Sequence, residues 1–185
     1  MTANINTILI LEATSAIGEA FAQYFYSVGK KVIASGSRID RLMPFKLNLK
    51  SFADLDSIFV CAGRMRLGDF TSTAAVNIDL IVSEITTNLT APLVISKVAI
   101  PHLTQLAGTN VTWIELAPPY VETELDSHFW EDNIKAALEK KETVHPPMPL
   151  KEYMDVTIAA FENGGDKEIG TGFSVMGIGA WRGAF

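Results

Sequence analysis

The chain has 185 residues, 48% of them hydrophobic and 19% charged, the make-up of one globular domain with an ample core. Its net charge of −6 argues against a nucleic acid or an anionic membrane surface as partner. A single cysteine excludes an internal disulfide framework and fits a reducing compartment. The N-terminus lacks a basic stretch followed by a signal-like apolar core. No uninterrupted apolar run reaches the ~18 residues of a membrane span; Leu93 to Leu103 comes nearest, broken by Lys97 and Pro101. The expectation is one cytoplasmic domain over 1–185, with neither membrane nor nucleic acid among its partners.

Asn6 to Leu11 reads as a buried parallel strand, apolar on both faces. A short polar turn follows. Ser15 to Val28 then carries Ile17, Ala20, Phe21, Tyr24, Phe25 and Val28 at helical spacing, with Gly29 as the stop. Lys31 to Ala34 is a second strand. Phe45 to Leu49 is a candidate third, and Ser57 to Cys61 a fourth. Between those two lie only Lys50 to Asp56, about 25 Å fully extended. A parallel crossover needs a dozen or more residues. The third strand is therefore either lost or antiparallel at the sheet edge.

Gly68 to Thr73 is a loop. Ala74 to His102 reads as a long helix bent near Pro92, where a backbone donor is missing. Ile78, Ile81, Val82, Ile85 and Leu89 form its apolar stripe. Gly108-Thr109-Asn110 is a turn, Val111 to Leu116 a strand, and Pro118-Pro119 its break. Asp126 to Lys141 is helical and charged. His145 to Pro149 is an extended link. Leu150 to Asn163 is a helix, stopped by Gly164-Gly165. Ile169 to Met176 is the last strand, followed by a glycine-rich tail from Gly177 to Phe185. His102, His128 and His145 are too scattered for a zinc-like ligand set, so no metal is expected.

Several pieces together resemble one family. Leu11-Glu12-Ala13-Thr14-Ser15-Ala16-Ile17-Gly18 is similar to the T-G-x-x-x-G-I-G turn of the short-chain dehydrogenases/reductases. Cys61-Ala62-Gly63 resembles their N-A-G. Asn88-Leu89-Thr90-Ala91-Pro92 resembles the asparagine segment of their fourth helix. Ile114 to Thr123 resembles a strand followed by P-P-x-V-x-T. The resemblance implies an α/β fold: a reduced Rossmann-like three-layer sandwich of about five parallel strands with helices on both faces.

The same comparison exposes damage. A working turn needs three glycines, for the tight bend, for pyrophosphate approach and for helix–strand packing. Glu12 and Ala16 stand at the first two places, and only Gly18 remains. A carboxylate ~4 Å from a phosphate charge costs about 4 kcal/mol at an effective dielectric of 20, roughly a thousandfold in affinity. The resemblance makes Gly18, Arg38, Cys61 and Gly63 vestigial positions of a nicotinamide site, with no cofactor expected. Arg38 lies where the family meets the adenosine ribose.

The family's catalytic serine and its Y-x-x-x-K pair should lie on a strand and helix between Leu103 and Val111. Only Thr104 to Asn110 is there. Loss of a whole right-handed βα unit is topologically clean, and the next strand is expected to slide in beside Ser57–Cys61. The one Y-x-x-x-K present, Tyr26 to Lys30, sits at the wrong end of its strand–helix unit to meet a ligand.

Candidate acid/base groups are then Glu12, Asn88, Tyr120 and Glu124, with His128 nearby in sequence. One expectation is a cofactor-independent isomerase, cyclase or lyase acting on a small apolar metabolite. A second is a non-catalytic pseudo-oxidoreductase, homodimeric through helix 74–102 because the lost helix uncovers its flank. A third is a residual NAD(P)-dependent oxidoreductase.

Overall fold

The computed structural model describes residues 4–36, 54–65, 77–107, 111–125, 135, 139–140, 146–164 and 167–184. Strand β1 (Thr7–Leu11) leads into helix α1 (Ala16–Ser27) and strand β2 (Lys31–Ser35). Strand β3 (Ser57–Val60) follows. A long helix comes next, in three consecutive parts: α2 (Ile78–Ile85), a π-helical turn (Thr86–Thr90) and α3 (Ala91–Ala107). Strand β4 (Glu115–Ala117), helix α4 (Leu150–Asn163), strand β5 (Glu168–Gly170) and helix α5 (Ser174–Ala184) complete the order.

Every strand pairing is parallel. β1 lies between β2 and β3, with Leu9 in register with Ile33 on one side and Ile58 on the other. This central place explains the unbroken Ile8-Leu9-Ile10-Leu11 run, since a strand flanked on both sides and covered on both faces has no polar face to show. Five parallel strands are therefore present among the described residues, as expected, but in two groups: β2-β1-β3 and β4-β5. The expected closure of β4 against β3 does not occur there.

Helix packing ties the two groups together. The β4–β5 pair is carried by α4, and α4 is tied to α1. Phe25 meets Phe161 edge-on, ring centroids 6.3 Å apart, and Tyr24 donates its hydroxyl to Glu162 at 2.5 Å. One core spans both groups: Ile8, Ile10, Phe21, Phe25, Tyr153, Phe161 and Ile169 are all buried in it.

Three element boundaries differ from expectation. Residues 111–114 are irregular, so the strand begins only at Glu115. The last strand stops at Gly170, because Gly172 turns the chain at φ 57° and Ser174 opens α5. The glycine-rich tail is helical as far as Ala184. A π-helical turn, Thr86–Thr90, directly precedes the segment that holds Pro92, and Pro101 sits inside α3. The third strand at Phe45–Leu49, the loop at Gly68–Thr73, Arg38, His128, His145 and almost all of the Asp126–Lys141 helix lie outside the described residues.

The long helix has no buried residue in α2 or the π turn. Over Ile78–Gln105 its most apolar window has a mean hydropathy of 1.4 with none of it buried, long and apolar enough by that measure to cross a membrane. This corrects the count of uninterrupted runs, since Lys97 and Pro101 break a run without lowering the average much.

Candidate functional site

In open parallel sheets ligands gather beyond the carboxyl ends of the strands. Here those ends are Glu12 to Ala16 after β1, Cys61 to Met65 after β3 and Pro118 to Leu125 after β4. The first turn keeps its shape despite its sequence. Glu12 sits at φ 62° and Ala16 at φ 46°. These are the two positions where glycine is missing, and both hold the left-handed backbone that glycine adopts without penalty. A Cβ on Gly18 would stand 2.1 Å from the Glu12 carbonyl oxygen, so the third glycine is fixed by contact. The turn is pinned to β2 by the Ala13 amide donating to the Ser35 carbonyl at 2.8 Å. Gly36 closes it from outside, where a Cβ would meet the Thr14 side chain at 2.4 Å.

Cys61 faces this turn. Burial pushes its thiol up to about 11, the Glu12 carboxylate adds to the rise, and the Gly18 backbone opposes it. Glu12 and Cys61 thus lie close enough, at the ends of β1 and β3, to interact electrostatically. A thiol held protonated is no nucleophile at neutral pH. Alkylation of Cys61 by iodoacetamide is expected to be negligible at pH 7.5 and to rise only toward pH 11. Glu12→Gln should move that profile to lower pH without restoring an ordinary thiol, because burial is the larger cause. An unmoved profile in mass-spectrometric labelling would mean that Glu12 faces elsewhere.

Asn88 sits in the middle of the π turn. Its Nδ2 donates to the Arg64 carbonyl at 2.6 Å, and its Oδ1 accepts from the Arg64 amide at 2.8 Å. Arg64 in turn donates from Nη1 to Ser83 Oγ at 3.0 Å. Both ends of the Asn88 amide thus hold the loop after β3 against the long helix. Gly63, on that loop, has open space around its α-carbon.

The segment after β4 is held by other partners. Met148 donates its amide to the Tyr120 carbonyl at 2.8 Å, and Glu122 donates to Met148 at 2.9 Å. Val121 is buried beneath them. Tyr120 is half-buried and Glu124 exposed. The structure thus brings Glu12, Cys61 and Gly18 together and couples Asn88 to Arg64. Tyr120 and Glu124 stand on a separate loop across the gap between β3 and β4. No group of His, Cys, Asp and Glu among the described residues could hold a metal ion.

Two residues matter here that sequence reasoning passed over. Tyr153, on α4, is only 1% exposed; burial pushes its phenol up to about 12, and the charge of a Cys61 thiolate would push the same way. Its place in the α4 stripe with Thr157 and Phe161 marks it as core, so a buried tyrosine near Cys61 was findable only in three dimensions. Ser174 joins the two short strands: its hydroxyl bridges the carbonyls of Ala117 and Thr171 and accepts from the Thr171 amide at 2.8 Å.

No family model matches the chain, and no curated protein matches it. Solved structures do. A short-chain dehydrogenase from Burkholderia cenocepacia J2315, in complex with NADP, superposes with a TM-score of 0.71 over 97% of this chain and 93% of that one, at 15% identity. The fold is that of the short-chain dehydrogenases. A serine dehydrogenase complexed with NADP+ gives a TM-score of 0.60 at 16% identity, over 89% of this chain and 94% of its own. A short-chain dehydrogenase/reductase from Brucella melitensis, titled glucose/ribitol dehydrogenase, gives 0.59 at 14%, with the same coverage. The likeness is one of fold. Against it, the chain passes from the end of α3 at Ala107 to β4 at Glu115, with no room for a further strand and helix between them.

Proposed function

We propose that this chain is a short-chain-dehydrogenase fold that no longer transfers hydride and works by binding a protein partner along its long helix. The observation that carries this reading is the uncovered apolar surface of Ile78–Gln105, none of whose most apolar window is buried. Patches of that kind on a folded protein mark interaction surfaces. The residues at the first turn do not fit a nicotinamide dinucleotide. Glu12 sets a carboxylate, and Ala16 a methyl, where backbone amides would have to meet a pyrophosphate. The serine, tyrosine and lysine that the family would use for proton transfer have no positions in the chain.

The test of this reading is calorimetric titration with the four nicotinamide cofactors. No binding at millimolar concentration is the expected result. Binding at micromolar concentration would overturn it and return the chain to redox chemistry.

A second reading is favoured by the charge that Glu12 directs at Cys61. A carboxylate held in a strand-end cleft is a candidate base, and the chain would then be a cofactor-independent isomerase, cyclase or lyase on a small apolar metabolite. A metabolite screen by thermal shift, followed by turnover that falls at least a hundredfold in Glu12→Gln, would establish it. Turnover unchanged in that variant would remove Glu12 from the chemistry.

A further inference from the structure

The sheet is interrupted between β3 and β4. Among the described residues β3 pairs with β1 and β4 with β5, in two separate groups. Both inner edges nevertheless lie over one core. Phe59 of β3 and Leu116 of β4 pack against the same buried cluster, which includes Tyr153 and Met154 of α4. α3 reaches the start of β3, where the His102 ring meets the Leu55 carbonyl at 3.1 Å. β3 is half-buried along its whole length, Ser57–Val60, whereas its neighbour β1 buries Thr7, Ile8 and Ile10.

Two such edges restrict what can fill the space between them. A strand edge presents backbone donors and acceptors in a row, and extended backbone satisfies them. A helix spends its own donors and acceptors internally, and lipid tails offer none. β3 has four residues and β4 three, so the pairing stretch is about four residues, or about 13 Å. It would run beside Ile58, Phe59 and Val60 on one flank and Leu116 and Ala117 on the other, which calls for an apolar run. The ends are acidic. Asp56 precedes β3 and exposed Glu115 opens β4; beyond the carboxyl ends stand Glu12 and exposed Glu122. Arg64 is there too, its guanidinium donating to Ser83 on α2. With a net charge of −6 on the whole chain, charge complementarity calls for basic residues on either side of the run.

We propose that the space between β3 and β4 takes up an extended segment of a partner protein, about four apolar residues with Lys or Arg at each end, paired as an added strand with both edges. Pairing on two sides gives two ladders for the ordering of one segment. Filling the space joins the two groups into one sheet, with β3 and β4 two strand spacings, about 9.6 Å, apart. The site is separate from the apolar face of Ile78–Gln105, so either can exist without the other.

The probe is a fluorescein-labelled peptide, Lys-Val-Ile-Val-Val-Lys, titrated with the full chain and followed by anisotropy. It should bind at micromolar concentration. The same peptide with proline at its centre, which lacks a backbone donor, should bind about tenfold more weakly or worse. Glutamate in place of both lysines should weaken binding about tenfold as well. In hydrogen exchange the bound peptide should slow the amides of Ser57–Val60 and Glu115–Ala117 together and leave Ile78–Gln105 unchanged. No binding at millimolar concentration, or equal binding of the proline peptide, overturns the proposal. Equal binding of the glutamate peptide overturns the basic flanks. Protection confined to the long helix overturns the strand site. Edges that become protected without peptide as the protein concentration rises belong to a second copy, which overturns it also. Each of these failures leaves the long-helix reading standing, since that reading rests on Ile78–Gln105 alone.

Discussion

Gly18→Ala should cost the chain about 3 kcal/mol or more, at or above the top of the usual range for substitutions that force backbone to move. The reason is one contact. A Cβ at residue 18 would lie 2.1 Å from the Glu12 carbonyl oxygen and 3.0 Å from its carbonyl carbon. Both are backbone, so no side chain can swing aside. Relief requires the β1–α1 turn to open, and that turn anchors the core. Phe21 and Phe25 follow Gly18 on α1, stack with centroids 6.2 Å apart, and carry Phe59 and Phe161 with them. Gly63→Ala is the matched control, since no described residue stands within 4 Å of its added Cβ; it should change stability by less than about 0.5 kcal/mol. Urea unfolding followed by tryptophan fluorescence distinguishes the two. A Gly18→Ala protein with a wild-type midpoint would mean that the turn is loose.

That contact explains why one glycine of three survives. Gly18 is required by packing inside the fold, whatever the turn binds. The other two glycines serve a bend and the approach of a ligand. The bend can be kept by other residues at a cost, and it has been, with Glu12 and Ala16 held at positive φ. Folding alone demands Gly18, whereas only the approach of a ligand would demand glycine at both neighbours. This separation of roles supports the reading that the cofactor site has lapsed while the scaffold has not.

The parts of the fold legible in the sequence were those set by local pattern or by counting. The Ile-Leu-Ile-Leu run and the stripe from Ile17 to Phe25 specify β1 and α1 by themselves. The few residues between Leu103 and Val111 leave α3 and β4 directly consecutive among the described elements. The joining of the two strand groups was not legible, because Tyr24 meets Glu162 and Phe25 meets Phe161 across more than half of the chain. α5 was misread because Gly-Thr-Gly-Phe-Ser-Val alternates like a strand; the positive φ at Gly172 ends the strand three residues in. At the site, residue types pointed to Glu12 and Asn88. Only the coordinates show that Asn88 is committed to Arg64 and that the charge of Glu12 falls on Cys61.

Glu12→Gly with Ala16→Gly should make the protein more stable and raise its affinity for nicotinamide dinucleotides. The two effects have separate causes. Each non-glycine residue in the left-handed region costs about 1–2 kcal/mol. Glycine removes that cost but adds about 0.5–1 kcal/mol of unfolded-state entropy. The net gain is about 1–2 kcal/mol for the pair, worth roughly 3–6 °C in a chain of this size. Affinity responds to charge instead. Removing a carboxylate ~4 Å from a phosphate recovers up to about 4 kcal/mol, or a thousandfold. Glu12→Gln therefore separates the two, since it keeps the strained backbone and abolishes the charge. It should gain most of the affinity for NADP and almost none of the stability. Ala16→Gly alone should do the reverse, gaining stability and little affinity. Calorimetry and thermal unfolding on the four proteins read both axes. If Glu12→Gln binds no better than wild type, the carboxylate is not what keeps the dinucleotide out, and the block lies in the methyl of Ala16 or in the missing unit between α3 and β4.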